Sequence, residues 1–85
     1  MKFYYVYVLK SRTRGYVYVG FTSDLKQRLK EHNHREVIST KRYAPLDLIF
    51  YEAYLSTKDA KRRELYLKTT KGRTVLRTML QDTLK

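Results

Sequence analysis

Residues 3–20 read FYYVYVLKSRTRGYVYVG, and this stretch decides the fold. Its two ends, 3–9 and 16–20, are rich in aromatic and β-branched residues, which favour β-strands. The polar link from Lys10 to Gly15 has a length that suits the loop of a hairpin. The stretch therefore predicts two antiparallel strands joined by a short loop.

The two strands are expected to have chemically different faces, because side chains two residues apart point to the same side of a sheet. The aliphatic members can share one face: Val6, Val8, Val17 and Val19. The phenols can then share the other: Tyr5, Tyr7, Tyr16 and Tyr18. A pairing of Tyr7 with Tyr18 would satisfy this division. The alternative is that the tyrosines simply pack a partly exposed sheet.

A helix is predicted after the hairpin. Thr22 or Ser23 can cap its N-terminus, and Asp24 falls in the first turn, where a carboxylate is favourable. The helix is expected to end near Asn33, and a basic loop over 35–46 follows.

The C-terminal half predicts one more strand and at least one more helix. Residues 47–55 are apolar on both faces, which indicates an interior strand. A helix is expected over 58–69, and Gly72 is expected to break it before a short last helix over about 74–84. The order β-β-α-β-α, with a possible third helix, gives an α+β fold: a small three-stranded, mostly antiparallel sheet flanked by helices.

Composition limits both the size and the chemistry of the protein. Eighty-five residues suffice for one small domain over 1–85. The chain has no cysteine, which excludes disulfides, zinc–thiolate sites and thiol catalysis. No apolar run approaches the roughly 20 residues that cross a bilayer, and no signal-peptide pattern is visible. We therefore expect a cytoplasmic protein that does not associate with membranes.

The charge predicts a polyanionic partner, because 19 Lys and Arg face only 8 Asp and Glu, for a net charge of +11. Nucleic acid is the first candidate, with DNA favoured over RNA, whereas an anionic membrane surface or simple solubility are the alternatives. No sequence-reading motif is visible, so contact with the phosphate backbone should dominate. The candidate phosphate-binding residues are Lys26, Lys30, Lys41, Arg42, Lys61, Arg62, Lys68, Lys71 and Arg73.

A second pattern is more specific. The triplets YVY at 5–7 and YVG at 18–20 resemble the two-part signature of the GIY-YIG nuclease superfamily. Arg28, eight residues beyond the second triplet, matches the helix arginine of that family, and Glu64 matches its metal-binding glutamate. The resemblance covers about residues 3–80. It is strongest to small stand-alone members and extends to the N-terminal nuclease domain of the bacterial excision-repair endonuclease.

The resemblance implies a metal-dependent endonuclease, with DNA repair as one setting, and it implies a role for each matched residue. Tyr18 would act as general base on the attacking water, and Tyr7 would support it. Arg28 would stabilise charge on the phosphate, and Glu64 would bind Mg²⁺ or Mn²⁺. His32, which is expected on the same helix face as Arg28, would activate Tyr18 or contact phosphate. The alternative for His32 is a surface histidine at a helix end.

The residue types also suit this chemistry without the resemblance. Phosphodiester hydrolysis needs an activated water and neutralisation of charge on the phosphoryl group. Glu64 shares a helix stripe with Ala60 and Leu67, and a carboxylate turned toward a core is costly unless something compensates it. An unperturbed phenol has a pKa of about 10, so Tyr18 would need a nearby cation such as Arg28 or the metal to act as a base.

Plainer roles are open for the two charged residues. Arg28 could pair with Asp24, and Glu64 could pair with Lys61 or Lys68. The domain would then be a catalytically weak or inactive nucleic-acid-binding module, with a partner protein supplying targeting.

Two positions depart from the pattern of the family. Several members have lysine, arginine or tyrosine directly after Tyr-x-Gly, whereas this chain has Phe21. Some also carry an asparagine about a dozen residues beyond the glutamate, but Asn33 is the only asparagine here. The function of that residue would be missing or supplied by Lys68, Lys71 or Thr70.

Overall fold

The computed structural model describes residues 1–85 and has three strands and three α-helices. In chain order they are β1 (Tyr4–Ser11), β2 (Val17–Thr22), α1 (Leu25–Asn33), β3 (Leu46–Tyr54), α2 (Thr57–Leu67) and α3 (Thr70–Met79). A single 3₁₀ turn, Lys41–Tyr43, precedes β3. The predicted α+β class and the order β-β-α-β-α-α are confirmed. None of the helices combines the length and apolar character that crossing a membrane requires.

The sheet is antiparallel throughout, with the strand order β2-β1-β3. The prediction of an interior third strand is therefore wrong, because β1 occupies the centre and β3 an edge. Burial shows the difference: residues 6–9 of β1 are at most 1% exposed, whereas Tyr51 of β3 is 52% exposed. Apolar residues on both faces of β3 reflect cover by helices on either side of the sheet, which an edge strand can also have.

The hairpin has a different register from the one predicted. Tyr7 lies opposite Gly20, and Tyr18 lies opposite Leu9. Pairing continues beyond the predicted end of the first strand at residue 9, since the backbone N–H of Ser11 donates to the Tyr16 carbonyl at 3.0 Å. The register differs from the predicted one by two residues, which leaves every side chain on its predicted face.

The aliphatic face of the hairpin is buried under α2 and α3. The core on this side consists of Val6, Val8, Val19, Ala60, Leu67, Leu76 and Leu80. A smaller cluster on the opposite face, beside α1, consists of Tyr7, Leu9, Ala44 and Leu46. Tyr16 belongs to neither strand and stacks on Tyr43 with 3.7 Å between ring centroids.

The N-terminus of α1 is capped by Asp24, not by Thr22 or Ser23. The Asp24 backbone is extended, and its carboxylate accepts a hydrogen bond from the Gln27 amide at 3.1 Å. The Thr22 hydroxyl instead donates to the Asp24 carbonyl. The cap fixes the start of the helix that carries Arg28.

Gly72 does not break the last helical segment, contrary to the prediction. The break lies at 68–69, and the hydroxyl of Thr69 caps α3 by accepting from the Gly72 amide at 3.0 Å. Gly72 is buried inside α3, where a Cβ atom would strike the Tyr66 carbonyl and lie 2.7 Å from Leu67 Cα. Glycine is therefore needed for the close approach of α3 to the end of α2.

Candidate active site

A chain of buried hydrogen bonds begins at Tyr7 on the central strand. Its hydroxyl lies 2.8 Å from Nε2 of His32, and Nδ1 of His32 lies 2.6 Å from the Thr40 hydroxyl. Tyr7 is 1% exposed, and the other two are completely buried. The interpretation of His32 as a surface histidine is therefore wrong. Direct contact of His32 with a phosphate is excluded by the same burial.

Both members of the Tyr7–His32 pair are uncharged at neutral pH. Burial, helped by the positive charge of Arg28, lowers the pKa of His32 to about 4. Burial raises the pKa of Tyr7 to about 12, although the nearby Arg28 guanidinium opposes the rise. Because the guanidinium can only donate, the Tyr7 oxygen accepts from that side and its own proton goes to Nε2. The Nδ1–H of the neutral imidazole is then left to donate to Thr40.

Gly20 makes room for the Tyr7 phenol. The two residues lie opposite each other on neighbouring strands, and Gly20 is buried beneath the ring. A Cβ atom at position 20 would collide with the Tyr7 ring and hydroxyl and would lie 2.8 Å from the Tyr18 ring. The glycine of the Tyr-x-Gly triplet is thus required by side-chain packing within the site.

Tyr18 packs against both members of this pair. Its ring centroid lies 6.2 Å from that of Tyr7 and 5.2 Å from that of His32. Unlike Tyr7, it is only partly buried, and its hydroxyl makes no hydrogen bond to the protein. The Tyr18 hydroxyl is therefore the phenol of the site that is free to meet a water molecule or a phosphate.

Arg28 projects from α1 toward the same place. Its guanidinium is close enough to the Tyr7 hydroxyl to influence the pKa of both groups. It also forms an ion pair with Glu31, with 2.9 Å between Nη1 and Oε1. The alternative pairing with Asp24 is wrong, because the Asp24 carboxylate caps the helix. The Arg28 guanidinium thus lies between the buried Tyr7–His32 pair and the partly exposed Glu31.

Glu64 reaches the site from the other side of the sheet. It lies on α2 in the same stripe as Ala60 and Leu67, as predicted, and its side chain is 19% exposed. Its Oε2 lies 2.9 Å from Nζ of Lys68, which is one of the two alternative pairings. The Lys68 ammonium in turn lies 6.0 Å from the centroid of the Tyr18 ring. Lys68 therefore links Glu64 on α2 to Tyr18 on β2.

The donor atoms fit a divalent ion that is held by one protein ligand. No group of three or more His, Cys, Asp or Glu side chains is positioned to bind a metal. Glu64 offers a hard carboxylate whose Oε1 has no hydrogen-bond partner in the protein. Mg²⁺ commonly accepts one carboxylate and fills its remaining positions with water and substrate phosphate. Glu64 is thus suited to a weakly held ion and not to a permanently bound one.

The predicted phosphate-binding residues are spread around the molecule. Lys68 is at the site, Arg73 donates to the Val17 carbonyl at 3.3 Å, and Arg62 pairs with Asp59 at 3.0 Å. Lys61 lies 5.4 Å from the ring of Phe21, which packs on the aliphatic face of the hairpin. The remaining ones are exposed and form no ion pair: Lys26, Lys30, Lys41, Arg42 and Lys71.

Two contributors to the site did not stand out in the sequence. Glu31 lies three residues after Arg28, and that helical spacing is a signal that could have found it. Thr40 comes from the loop before β3, and nothing local to that loop predicts its bond to His32.

The only asparagine, Asn33, forms hydrogen bonds with both backbone groups of Leu46, at 3.1 and 2.7 Å, and so anchors the start of β3.

The partly exposed side of the site, at Tyr18, Arg28 and Glu64, does not lie in a cavity. The largest groove is lined by Tyr5, Leu25 and Tyr51 among others, and none of the grooves is lined by the five residues that the resemblance singled out. An open surface beside a basic helix is accessible to a polymer as well as to a small molecule.

Comparisons with known proteins identify relatives of this chain and of its fold. A profile of the GIY-YIG catalytic domain matches residues 3–78. A UPF0213 protein of Clostridium perfringens is 34% identical over 65 residues, which cover 75% of this chain and 69% of that protein. A UPF0213 protein of Streptococcus pyogenes serotype M5 is 37% identical over 70 residues, covering 81% and 75%. The solution NMR structure of a UPF0213 protein from Bacillus halodurans superposes with a TM-score of 0.56 at 28% identity, covering 91% of this chain and 84% of that one.

Proposed function

The chain belongs to the GIY-YIG family, and we propose that it is a divalent-metal-dependent endonuclease that hydrolyses phosphodiester bonds of DNA with low sequence specificity. The observation that supports this proposal most is the convergence around Tyr18 of groups from separate elements. The rings of Tyr7 and His32 pack against its ring, and Arg28 adjoins Tyr7. Lys68, which is paired with Glu64, lies 6.0 Å from its ring centroid.

In this proposal the two phenols have different tasks. Tyr18 has the free hydroxyl, so its ionised oxygen accepts a proton from the attacking water, with the Lys68 ammonium supplying positive charge beside the ring. Tyr7 is kept neutral by burial, and its hydroxyl donates a hydrogen bond to His32. The chain from Tyr7 through His32 to Thr40 therefore holds the Tyr18 ring in position and does not titrate during turnover.

Charge on the phosphoryl group is handled by Arg28 and by the ion that Glu64 would hold. Arg28 can donate two parallel hydrogen bonds to phosphate oxygens once it leaves Glu31. A divalent ion bound to Glu64 would supply Lewis acidity and charge neutralisation at the phosphate. The water oxygen forms the new P–O bond, its proton passes to Tyr18, and the ester bond to the leaving oxygen breaks. That oxygen takes up a proton from solvent.

The substrate class follows from the charge distribution. A net charge of +11 on 85 residues favours a polyanion, and the exposed lysines and arginines without ion pairs can follow a phosphate backbone. Backbone contacts carry little sequence information, which is the basis for the proposed low specificity. We favour DNA over RNA, and a partner protein would supply targeting.

A cleavage assay tests the proposal. Labelled single-stranded, duplex and flap DNA is incubated with Mg²⁺ or Mn²⁺, and parallel samples contain EDTA. We expect metal-dependent products with the wild type, and a loss of about a hundredfold or more with Glu64→Gln or Tyr18→Phe. The matched controls are Glu36→Gln and Tyr51→Phe, which change exposed residues and should keep wild-type rates. No cleavage of any DNA form with either metal would refute the proposal.

A second candidate function has its own support. Arg28 is paired with Glu31 of α1, and Glu64 is paired with Lys68 at the end of α2. Such pairing is expected of a module that binds nucleic acid without cutting it. Such a module would bind DNA in a salt-sensitive way that Glu64→Gln leaves unchanged. Salt-sensitive binding without cleavage would favour this alternative.

A further inference from the structure

The ion pair between Glu64 and Lys68 has an uneven environment. The carboxylate side chain is 19% exposed, whereas the ammonium side chain is 41% exposed, and 2.9 Å separates their charged atoms. Glu64 is held between Ala60 and Leu67, both completely buried, but Lys68 lies where α2 ends. The carboxylate is therefore the more buried partner, while the ammonium is carried by a flexible stem that solvent can reach.

Lys68 occupies one oxygen of the carboxylate that the proposed function assigns to the metal. Its Nζ contacts Oε2 of Glu64 and lies 6.0 Å from the Tyr18 ring centroid. A divalent ion on Glu64 would be within a few ångströms of this ammonium, and like charges so close repel strongly. Even if the ion bound through the free Oε1, the two cations would share the negative charge of one carboxylate. Metal binding must displace Lys68 or be weakened by it.

We propose that Lys68 is a displaceable counter-cation for Glu64, which holds the carboxylate in the absence of metal and moves to the nucleic-acid phosphate when the ion binds. This inference rests on the proposed metal-dependent function. Lys68 is then a positioning residue whose contact switches between a carboxylate and a phosphate, both of which are anionic oxygen acceptors. The exchange requires a rotation of the Lys68 side chain, whose Nζ lies 2.9 Å from Oε2 of Glu64 and 6.0 Å from the centroid of the Tyr18 ring, where the proposed function places the phosphate.

This exchange couples the binding of metal to the binding of nucleic acid. A phosphate that attracts Lys68 frees Oε2 of Glu64, so nucleic acid should raise the affinity for the ion. By thermodynamic reciprocity the ion should raise the affinity for nucleic acid by the same factor. The protein alone should bind the ion weakly. Under this coupling the metal-loaded site forms mainly in complexes that contain the nucleic-acid substrate.

The first test measures Mn²⁺ binding in the absence of nucleic acid, from the electron paramagnetic resonance signal of the free ion. Lys68→Met keeps the apolar stem and removes the charge, and we expect it to bind Mn²⁺ about fivefold more tightly than the wild type, since a partly exposed ion pair is worth up to about 1 kcal/mol. Lys68→Arg retains the pair and should not gain affinity. Lys58→Met removes an exposed charge from the same helix and should match the wild type. An unchanged or weaker affinity of Lys68→Met overturns the inference.

The second test measures the coupling itself. A Tyr18→Phe background prevents cleavage, and Mn²⁺ affinity is measured with and without a short DNA oligonucleotide. We expect DNA to strengthen Mn²⁺ binding, and we expect the enhancement to shrink about fivefold when Lys68→Met is added. Equal enhancement in both backgrounds would show that Lys68 does not carry the coupling.

The two proposals can fail separately. If the wild type cleaves DNA with metal but Lys68→Met gains no Mn²⁺ affinity, only the counter-cation inference is lost. If Lys68→Met gains Mn²⁺ affinity and Glu64→Gln abolishes that gain, the inference holds even when no DNA is cleaved. Thermal unfolding of each variant verifies that it is folded before binding is measured.

Discussion

Mild acid should destabilise this protein through His32. Burial lowers the pKa of His32 to about 4 in the folded state, whereas an unfolded imidazole titrates near 6.5. Between these values the unfolded chain binds more protons than the folded one. The contribution of His32 to stability is therefore complete above about pH 6.5 and is lost as the pH falls toward about 4. The total loss corresponds to about 3 kcal/mol, of which about 2 kcal/mol is lost by pH 5.

Urea unfolding at closely spaced pH values from 7.5 to 4.5, followed by circular dichroism, measures this loss. His32→Gln keeps a polar side chain but cannot titrate in the window, so its unfolding free energy should vary much less with pH. His34→Gln is the matched control, because His34 is exposed and should leave the wild-type slope in place. The carboxyl of Glu31, whose pKa is lowered by its hydrogen bond to Arg28, stabilises the fold above its ordinary pKa of 4.5, and this contribution is lost as the pH falls below the lower end of the window.

A titration of the imidazole proton signals by NMR supplies the independent check. We expect His32 to stay neutral to about pH 4. A His32 pKa near 6.5, or parallel pH profiles for the wild type and His32→Gln, would show that the imidazole is not held neutral by burial.

Two further predictions concern the glycines that allow close contacts. Gly20→Ala should displace the Tyr7 phenol and remove the NMR shifts that report its hydrogen bond to His32. It should also lower any DNA cleavage by about a hundredfold, while the circular dichroism spectrum stays near that of the wild type. Cleavage at the wild-type rate would mean that the position of the phenol is unimportant. Gly72→Ala should destabilise the fold by about 2 kcal/mol in urea unfolding, because its Cβ would meet the Tyr66 carbonyl. In an unconstrained helix the same change stabilises by up to about 1 kcal/mol. A stabilised variant would contradict the close contact between α3 and the end of α2.

Local patterns in the sequence account for much of the fold. The alternation of valine and tyrosine separates an aliphatic face from a phenolic one, and the sheet keeps that separation because side-chain direction has a period of two. The same period explains why the alternation does not determine the hairpin register, since a shift by two residues leaves the side chains of both faces unchanged. Ser56 caps α2 by accepting from the Asp59 amide, a contact between residues that are neighbours in the sequence.

Parts of the candidate site could also be predicted from the sequence, because they depend on the spacing of residues along a helix. Arg28 and His32 are four residues apart and project from one face of α1, and Glu64 shares a stripe with buried residues of α2. The interpretation of Gly72 as a helix breaker failed because the sequence does not reveal how closely α3 approaches Tyr66.

By itself, therefore, the sequence determined the α+β order, the two faces of the hairpin and the identity of the charged and phenolic side chains. Only the tertiary structure decided that His32 is buried and neutral, that Thr40 satisfies its second nitrogen, and that Lys68 holds Glu64 beside Tyr18. The physical reason is that a pKa and an ion pair depend on which groups surround a side chain. Those groups come from strands and helices that are distant in the chain and meet only when the sheet is assembled.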